Sequence, residues 1–469
     1  MKMNKAKIPI FLVVVLAACG VLAVILYGLM LWPKPSPAPS LTLRPIIFVH
    51  GGAGSGAQFE TQAMRFASNG YPLNYILAFE YDSSFTIETM DNVIERLDKF
   101  IDSILAERST DKIDKVDLVG HSLGTRICQK YLRSSPERAS KVAHYVNIDG
   151  EDTPDPPGGV PTLAIIAGMG WTAIPGRGIG GAINVTLAHQ THVEVATSAE
   201  AFVEMYKFFT GREPSTKDII PEAKDKITLA GRVVYFPWNT GVEGATLEIW
   251  EVDGRTGMRL RKTPEVVYNI GKDGAWGPFE AKKGAYYEFA VVYNGPLGLE
   301  VIHYYREPFI RSDHLIRIPV SIPGGIAYLG NRSADHVGML VLRYKEFWGD
   351  QGENNDILEI NGVNVVNSAT CPVIKGAYRT GVVGIWIYDK DCDKKSDLTK
   401  PISIYYVQPF QSGVDLFIPA ADPPNSTITL VLKPRFEAGK VQVISIPNWA
   451  SLTKTVMHRI IVHFNEWTQ

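Results

Sequence analysis

The chain has almost no net charge and lacks the motifs that bind phosphate groups. Its 469 residues carry 47 Lys and Arg against 49 Asp and Glu, a formal charge of −2. Proteins that bind polyanions usually show a basic excess, so the composition argues against a nucleic-acid partner. The glycine-rich run at 51–56 has neither the Gly-x-x-x-x-Gly-Lys-Ser/Thr nor the Gly-x-Gly-x-x-Gly spacing. We therefore expect no nucleotide and no other cofactor.

Cysteine is also scarce, with four residues in the whole chain. Cys371 and Cys392 both fall in the C-terminal half, and they are the candidate disulfide if that half lies outside the cell. We expect Cys128 to be buried and free. Cys19 lies in an apolar N-terminal segment.

Residues 8–32 contain no charged side chain and are long enough to cross a bilayer. Three lysines precede them, which places the N-terminus in the cytoplasm. We predict a transmembrane anchor or uncleaved signal at 1–32, a Pro-rich linker at 33–44, and an extracytoplasmic, membrane-anchored protein. The alternatives are a secreted protein and a lipoprotein with a lipidated Cys19, and both also leave the protein outside the cytoplasm.

Residues 45–213 alternate apolar, strand-like runs with amphipathic helical runs, of which the clearest helix is predicted at 86–108. This alternation is typical of an α/β domain with a mostly parallel sheet flanked by helices. The predicted strands lie near 46–50, 75–80, 115–120, 142–148, 160–168 and 184–188. The glycine-rich stretch at 168–181, with Trp171 and Ile174, is interpreted as a mobile flap.

From residue 214 onward the pattern changes to short β-prone runs separated by turn residues, which predicts all-β sandwich or barrel modules. We divide this part into a β-sandwich module at 214–312 and a β-rich module at 313–469. The predicted strands are 245–252, 286–293, 336–344, 382–388, 402–407, 426–433 and 441–446.

Residues 120–124 read Gly-His-Ser-Leu-Gly and lie between a predicted strand and a predicted helix. A nucleophilic serine needs such a sharp turn, which exposes its hydroxyl, and small neighbours let the two backbones approach. Ser122 is therefore the candidate nucleophile of a serine hydrolase. The alternative interpretation is a structural turn that carries a serine.

The matching acid is expected on a later strand, since the order in this arrangement is Ser, acid, His. The predicted strand at 141–150 reaches Asp149 at the edge where catalytic loops gather. No Asp or Glu occurs from 158 to 193, so the acid cannot follow the next strand. Asp149 is the candidate, and Glu151, Asp152 and Asp155 remain substitutes.

Two histidines in residues 45–213, His189 and His192, fall in neither a motif of their own nor an inner strand. His192 lies in a loop between a predicted strand and a predicted helix, from which it can reach the serine. We predict His192 as the base that takes the proton of Ser122, with Asp149 orienting the imidazole. His189 is interpreted as a packed strand residue.

A tetrahedral intermediate also needs preorganised backbone N–H donors. The predicted strand at 45–49 runs into His-Gly-Gly and further glycines, a loop that can turn amides inward. We predict the oxyanion donors to be the amides of Gly52 and of Leu123, the residue after the nucleophile.

Four motifs in this order resemble those of α/β-hydrolase lipases: His-Gly-Gly at 50–52, Gly-His-Ser-Leu-Gly at 120–124, Ile-Asp-Gly at 148–150 and Gln-Thr-His-Val at 190–193. The layout is similar to that of two-domain archaeal (Archaeoglobus-type) lipases, in which a β-barrel domain follows the hydrolase domain. The resemblance covers 45 to about 213 by motif and the rest only by layout.

This resemblance implies an α/β-hydrolase fold with Ser122, Asp149 and His192 as the triad and Gly52 with Leu123 as the oxyanion donors. Gly52 stands where such lipases often have a larger apolar residue, so the resemblance does not imply an acyl-chain preference.

Asp389, Asp391 and Asp393 alternate as the carboxylates of a calcium loop do. Lys394 stands where the loop needs Gly, and Lys400 where it needs the closing Glu. We therefore expect a solvated turn and no metal.

The expected function is hydrolysis of carboxylic esters, foremost lipid acyl esters, by a lipase whose partners are the lipid substrate and the membrane. One alternative is a general carboxylesterase, amidase or peptidase using the same triad. Another is a non-catalytic cell-surface binding protein on a hydrolase scaffold.

Overall fold

The computed structural model describes residues 43–375, 380–437 and 439–466, and the residues from Arg44 onward form one compact unit. The predicted anchor at 1–32, Cys19 and nearly all of the linker at 33–44 lie outside the described residues. Among the helices of the described ranges, none is both long enough and apolar enough to span a membrane.

Six parallel strands form the first sheet, in the order β2-β1-β3-β4-β5-β6. The strands are β1 (Ile46–Val49), β2 (Ile76–Phe79), β3 (Val116–His121), β4 (Val142–Ile148), β5 (Thr162–Ala167) and β6 (Ile183–Leu187). Strands β1, β3 and β5 are buried along their whole length, as expected of a sheet covered on both faces. The α/β architecture predicted for this part of the chain is confirmed.

Helices connect and cover these strands. They are α1 (Glu60–Ser68), α2 (Met90–Glu107), α3 (Leu123–Ser134), α4 (Pro136–Ser140), α5 (Glu194–Thr197) and α6 (Ala199–Thr210), with a 3-10 turn at Gly56–Phe59 before α1. The apolar stripe of α2 packs into the core as its spacing predicts, with Val93, Ile94, Leu97, Ile101 and Ile104 buried.

The prediction that α2 begins at residue 86 is wrong by four residues. Thr89 caps the helix: its hydroxyl accepts from the amide of Asn92, whose side-chain oxygen accepts from the Thr89 amide. The preceding residues are held in a turn by Asp82, whose carboxylate accepts from the amides at positions 84, 86 and 87. These local side-chain acceptors satisfy the backbone without a helix.

In the described residues after 214, sixteen further strands fold into three sheets, which confirms the β-rich character predicted for this part. They are β7 (Lys226–Phe236), β8 (Thr240–Gly241), β9 (Thr246–Val252), β10 (Val266–Asn269), β11 (Ala275–Lys282), β12 (Tyr286–Gly295), β13 (Gly298–Arg306), β14 (Asp313–Ser321), β15 (Met339–Phe347), β16 (Ile357–Ile360), β17 (Val363–Asn364), β18 (Val382–Tyr388), β19 (Gln411–Asp415), β20 (Thr427–Lys433), β21 (Gln442–Pro447) and β22 (Val456–His463).

The largest of these sheets has eight strands in the order β10-β9-β12-β13-β22-β15-β18-β19. Strand β22 pairs in parallel with both β13 and β15, so the sheet crosses the module boundary predicted near residue 312. Strand β14 likewise pairs with β7. The division into two modules stays a prediction, and we call residues 214–466 together the β part.

The strand predicted at 402–407 is wrong, because Ser403–Val407 is a 3-10 helix. Tyr405 is the buried residue of this helix, and Ile402, which precedes the helix, is buried three positions earlier; this spacing suits a three-residue turn and not the alternation of a strand. The ring of Tyr405 stacks on Trp386 at 5.2 Å between ring centroids.

Buried ion pairs join the first sheet to the β part. Arg317 on β14 donates to the Glu80 carboxylate, which follows β2, at 2.6 Å, and Arg306 on β13 donates to Glu60 at the start of α1 at 2.9 Å. Burial raises the pKa of Glu80, but the charges of Arg317, His50 and Arg232, together with the hydrogen bond from Arg317, outweigh it and leave that pKa below its ordinary value. These ion pairs hold the β part against the segments that follow β1 and β2 of the first sheet.

Replacing one partner of a buried ion pair should lower the free energy of unfolding far more than replacing one partner of an exposed ion pair. We expect Glu80→Gln to lower the free energy of unfolding by about 3 kcal/mol, because Arg317 is left as an uncompensated buried charge. Glu280→Gln removes a carboxylate that pairs with Lys226 in solvent, and it should change stability by less than about 0.5 kcal/mol. Chemical denaturation of both variants tests this, and equal small losses would contradict it.

Candidate active site

Ser122 lies on a sharp turn between β3 and α3, as its motif predicts. Its backbone has φ 53° and ψ −121°, a left-handed conformation that is unfavourable for a residue with a side chain. The turn is held by the Ser122 amide, which donates to the carbonyl of Ile148 on β4 at 3.0 Å. The strain therefore lies at the residue whose hydroxyl the turn presents.

The two glycines of the motif are required by close backbone packing. A Cβ on Gly124 would lie 2.2 Å from the carbonyl oxygen of Val49 on β1. A Cβ on Gly120 would lie 2.8 Å from the carbonyl oxygen of Gly124. Any side chain at these positions would push α3 away from the sheet and move Ser122 with it.

Ser122, His192 and Asp149 form a continuous series of hydrogen bonds. Asp149 follows β4 directly, and His192 lies in the loop between β6 and α5. The Nδ1 atom of His192 lies 2.6 Å from Asp149 Oδ2, and its Nε2 atom lies 2.9 Å from Ser122 Oγ. With Asp149 ionised, Nδ1–H donates to the carboxylate, which leaves Nε2 to accept from the Ser122 hydroxyl.

Asp149 is buried and remains ionised because donors surround it. Its Oδ1 accepts from the amide of Ala167 at 3.1 Å and from the guanidinium of Arg177 at 2.7 Å. Burial raises the pKa of Asp149. The hydrogen bond from His192, the charge that the His192 ring can carry, the hydrogen bond from Thr172 and the charge of Arg177 lower that pKa to about 2. The carboxylate is thus negative at any ordinary pH.

His121, inside the nucleophile motif, positions the backbone of His192. Gln58 donates to His121 Nδ1 at 2.9 Å, so Nε2 carries the proton and donates to the carbonyl oxygen of His192 at 2.8 Å. Burial, together with the neighbouring His192, lowers the pKa of His121 to about 3. The ring is neutral and serves as a fixed donor, a role that its motif did not reveal.

The alternative residues lie away from this series. Glu151, Asp152 and Asp155 are exposed and pair with Arg126, Arg177 and Arg133 at the surface. The interpretation of His189 as a packed strand residue is wrong. Strand β6 ends at Leu187, and His189 lies exposed in the turn that follows.

The glycine loop after β1 lies against Ser122. A Cβ on Gly51 would be 3.0 Å from Ser122 Cβ, and a Cβ on Gly52 would be 3.7 Å from Leu123 Cδ2. Asn239 of the β part supports the loop by donating to the carbonyl of Gly54 at 2.9 Å. The structure thus brings Gly52 and Leu123 together beside Ser122.

Two aromatic residues contact the His192 ring. Trp171 lies edge-on at 4.9 Å between ring centroids, and Phe410 of the β part stacks on it at 5.9 Å with 10° between the planes. Ile174, on the same segment as Trp171, is 63% exposed. Sequence reasoning missed Phe410, which lies far along the chain in no recognisable motif.

The segment at 168–181, interpreted as a mobile flap, is tied to the site through Arg177. Arg177 donates to Asp149, to the carbonyl oxygens of Thr172 and Gly150, and to Asp152. Its guanidinium therefore ties the segment to the loop that follows β4.

The predicted disulfide is not formed. Cys371 is a free thiol buried in the core between the sheets of the β part, and Cys392 is a free thiol exposed in the turn after β18. Cys128 is buried and free, as expected.

The carboxylates at 389–393 do not converge on a common point. Asp389 instead accepts from the amides of Asp393 and Lys394 at 3.2 and 2.8 Å, which shapes the turn. Asp391 pairs with the adjacent Lys390. Within the ranges the structure describes, no three His, Cys, Asp or Glu side chains are placed to hold a metal ion.

Three family models match successive parts of the chain. A lipase (class 2) model matches residues 43–143, a lipase C-terminal domain model matches 225–323, and a further C-terminal domain model matches 325–468. The expected resemblance to α/β-hydrolase lipases with a C-terminal β part is confirmed. These matches support an α/β-hydrolase-fold hydrolase of esters.

Individual relatives are distant. The chain is 27% identical over 113 residues to a probable alcohol acetyltransferase of Cyberlindnera fabianii, covering 23% of this chain and 29% of that protein. It is 28% identical over 98 residues to a proline iminopeptidase of Heyndrickxia coagulans, covering 21% and 33%. The chain thus spans about a third of the length of these curated relatives.

Aspergillus fumigatus lipase B is a structural neighbour at 16% identity. Its TM-score is 0.29, with 39% of this chain and 56% of that chain covered.

The lowered pKa of Asp149 makes a pH-dependent contribution to stability. Its folded-state value of about 2 lies below the ordinary 3.8, so the stabilisation is complete above about pH 4 and is lost as the pH falls towards 2. We expect the unfolding free energies of wild type and Asp149→Asn to converge by about 2 kcal/mol between pH 5 and pH 2.

Chemical denaturation at a series of pH values measures this convergence. Asp91→Asn is the control, because Asp91 is an exposed partner of Lys130, and its difference from wild type should stay nearly constant. A wild-type advantage over Asp149→Asn that did not change with pH would contradict the prediction.

Proposed function

We propose that the protein is a lipase that cleaves lipid acyl esters through an acyl-enzyme formed on Ser122. The observation that carries this proposal is the unbroken series from Ser122 Oγ through the His192 ring to the Asp149 carboxylate, at 2.9 and 2.6 Å. Nucleophile, base and orienting acid of this kind, on a strained strand-to-helix turn, form the machinery of acyl transfer.

In the proposed reaction, His192 Nε2 takes the proton of Ser122 while Oγ attacks the ester carbonyl. The imidazolium is stabilised by Asp149, and it then protonates the departing alcohol. A water molecule enters, loses its proton to the same Nε2, and attacks the acyl-enzyme. Collapse of this second intermediate releases the acid and restores the Ser122 hydroxyl.

We assign the oxyanion site to the amides of Gly52 and Leu123. The support is their location on either side of Ser122, with the Leu123 amide in the first turn of α3, where helix N–H groups point outward unpaired. Each preorganised donor of this kind typically contributes about 3 to 4 kcal/mol to the transition state.

An apolar cavity that begins at the glycine loop supports a lipid substrate. Ala53, Gly54 and Ser55, directly after Gly52, are among its lining residues, and the other lining residues belong to the β part. Its apolar wall includes Phe236, Ile302, Ile326, Met339, Leu340, Leu342, Trp386 and Ile461. A chain of methylene groups is the substrate feature that such a wall favours.

The alternatives make different demands on the same site. A general carboxylesterase, amidase or peptidase could use the triad without the cavity, and one distant relative is named as a proline iminopeptidase. A non-catalytic surface protein would need neither the strained serine nor the buried ionised Asp149. The cavity and the complete hydrogen-bond series together favour the lipase.

For localisation we propose a protein anchored in the membrane with its catalytic part outside the cytoplasm. The support is the charge-free sequence at 8–32 with lysines before it. Secretion after cleavage and lipidation of Cys19 remain the alternatives.

Ser122→Ala should abolish ester turnover, with a fall in kcat of about 10⁴-fold or more, because no other hydroxyl replaces the nucleophile. Hydrolysis of esters with acyl chains from short to long, and of matched amides, measures this. Ser103→Ala, an exposed serine on α2, is the control and should retain full activity. Turnover of amides without esters would contradict the lipase proposal.

Filling the cavity should separate long substrates from short ones. Leu342 lines the cavity and is only partly buried, so Leu342→Trp should fill space and lower kcat/KM for long acyl esters about 10-fold. Short esters should be hydrolysed nearly as before. Leu299→Trp, at an exposed position of β13, is the matched control. Equal losses for both chain lengths would contradict the assignment of the cavity.

A further inference from the structure

The loop that carries His192 is held by one carboxylate of the β part. Glu346, near the end of β15, accepts three hydrogen bonds from residues that flank His192. The donors are the Thr191 hydroxyl at 2.6 Å, the Val193 amide at 2.8 Å and the Glu194 amide at 3.1 Å. Both oxygens of the carboxylate are used, so its orientation is defined as well as its position.

Glu346 is itself fixed in place. It is buried, and its backbone carbonyl accepts from Arg435 at 2.6 Å and from Arg343 at 3.0 Å. Both arginines also pair with the buried carboxylate of Asp356. A Cβ on Gly381 would lie 2.6 Å from Glu346 Cγ, so the neighbouring backbone packs directly on the side chain. These contacts therefore fix Glu346 in the position from which it accepts the three hydrogen bonds.

The residues on both sides of His192 are thus tied to the β part, while its own carbonyl is tied to His121. The Glu346 contacts span more than 150 positions of the chain. With the loop held by Glu346 and by His121, the imidazole of His192 must lie within hydrogen-bonding distance of Asp149 and Ser122 at the same time. A small shift of the loop would break one of those two bonds.

We propose that Glu346 is a positioning residue for His192, so that the β part contributes to ester cleavage itself and not only to substrate binding. The inference rests on the proposed function of Ser122 and His192. Glu346 does not touch the reacting atoms. It acts through the loop at 191–194, whose place it sets.

Glu346→Gln keeps the shape of the side chain but turns one of its two acceptor oxygens into a donor. Whichever way the amide is turned, its NH₂ group faces the amide of Val193 or that of Glu194, and one donor loses its acceptor. The loop should then move away from the unmatched group. A misplacement of about 1 Å near a reacting group can cost about 100-fold in rate.

The experiment uses the full chain and a short, water-soluble ester, so that acyl binding in the cavity does not enter. We expect Glu346→Gln to lower kcat about 10- to 100-fold, with KM changed less than about twofold. The rate at which a fluorophosphonate labels Ser122 should fall in parallel. Glu359→Gln, which removes a half-exposed carboxylate paired with Lys433 on another sheet, should leave both rates unchanged.

The melting temperature and the fraction of folded protein are measured beside the rates. A variant that melts earlier but keeps wild-type kcat per folded molecule would overturn the proposal, since Glu346 would then be purely structural. If Glu346→Gln does not fold, Thr191→Val decides. It removes one donor to Glu346 and should lower kcat about fivefold, the equivalent of one hydrogen bond, and an unchanged kcat would again overturn the proposal.

Failure of the proposed function gives a different result. In that case the wild type would show no Ser122-dependent ester hydrolysis at all. The fluorophosphonate rate still reports on the base in such a protein, because labelling needs an activated Ser122 but no natural substrate. A slower labelling of Glu346→Gln would then support the positioning role alone.

Discussion

The hydrogen bond between Asp149 and His192 is the interaction on which the rest of the site depends. It joins two residues that are 43 positions apart in the sequence, and it sets which nitrogen of the imidazole faces Ser122. A buried carboxylate can make this bond as an anion only if other donors offset the loss of water. The Ala167 amide and the Arg177 guanidinium provide that compensation on the oxygen that His192 does not use.

The exact placement of His192 that this hydrogen bond requires explains why the β part is joined so closely to the hydrolase sheet. Two loops that shape the site are held by residues of the β part: Asn239 supports the glycine loop and Glu346 holds the His192 loop, while Phe410 stacks on the His192 ring. Arg317 adds a buried ion pair to Glu80 beside the glycine loop. The β part is therefore a structural component of the site, and it cannot be regarded as a detachable substrate-binding module.

Features that depend on short stretches of sequence could be predicted, and those that depend on distant contacts could not. Ser122 is predictable because a strand, a tight turn and a helix leave a five-residue pattern, and Asp149 because it ends a predicted strand and no Asp or Glu occurs from 158 to 193. Glu346 and Phe410 carry no local signal, since their partners lie more than 150 positions away. The strand prediction for 402–407 is wrong for a related reason. These β-prone residues form a 3-10 helix, in which the ring of Tyr405 stacks on the distant Trp386.

Arg177 ties the glycine-rich segment at 168–181 to the carboxylate of Asp149. The glycines at 168–181 indicate a flexible segment, and Trp171 and Ile174 present apolar surface beside the site. Yet the guanidinium of Arg177 lies 2.7 Å from Asp149 and its side chain is mostly buried, so displacing it would leave the carboxylate with one fewer donor. Because the same carboxylate orients His192, the position of this segment and the state of the base are physically linked. Any opening of the segment must either leave Arg177 in place or weaken the bond between Asp149 and its surroundings.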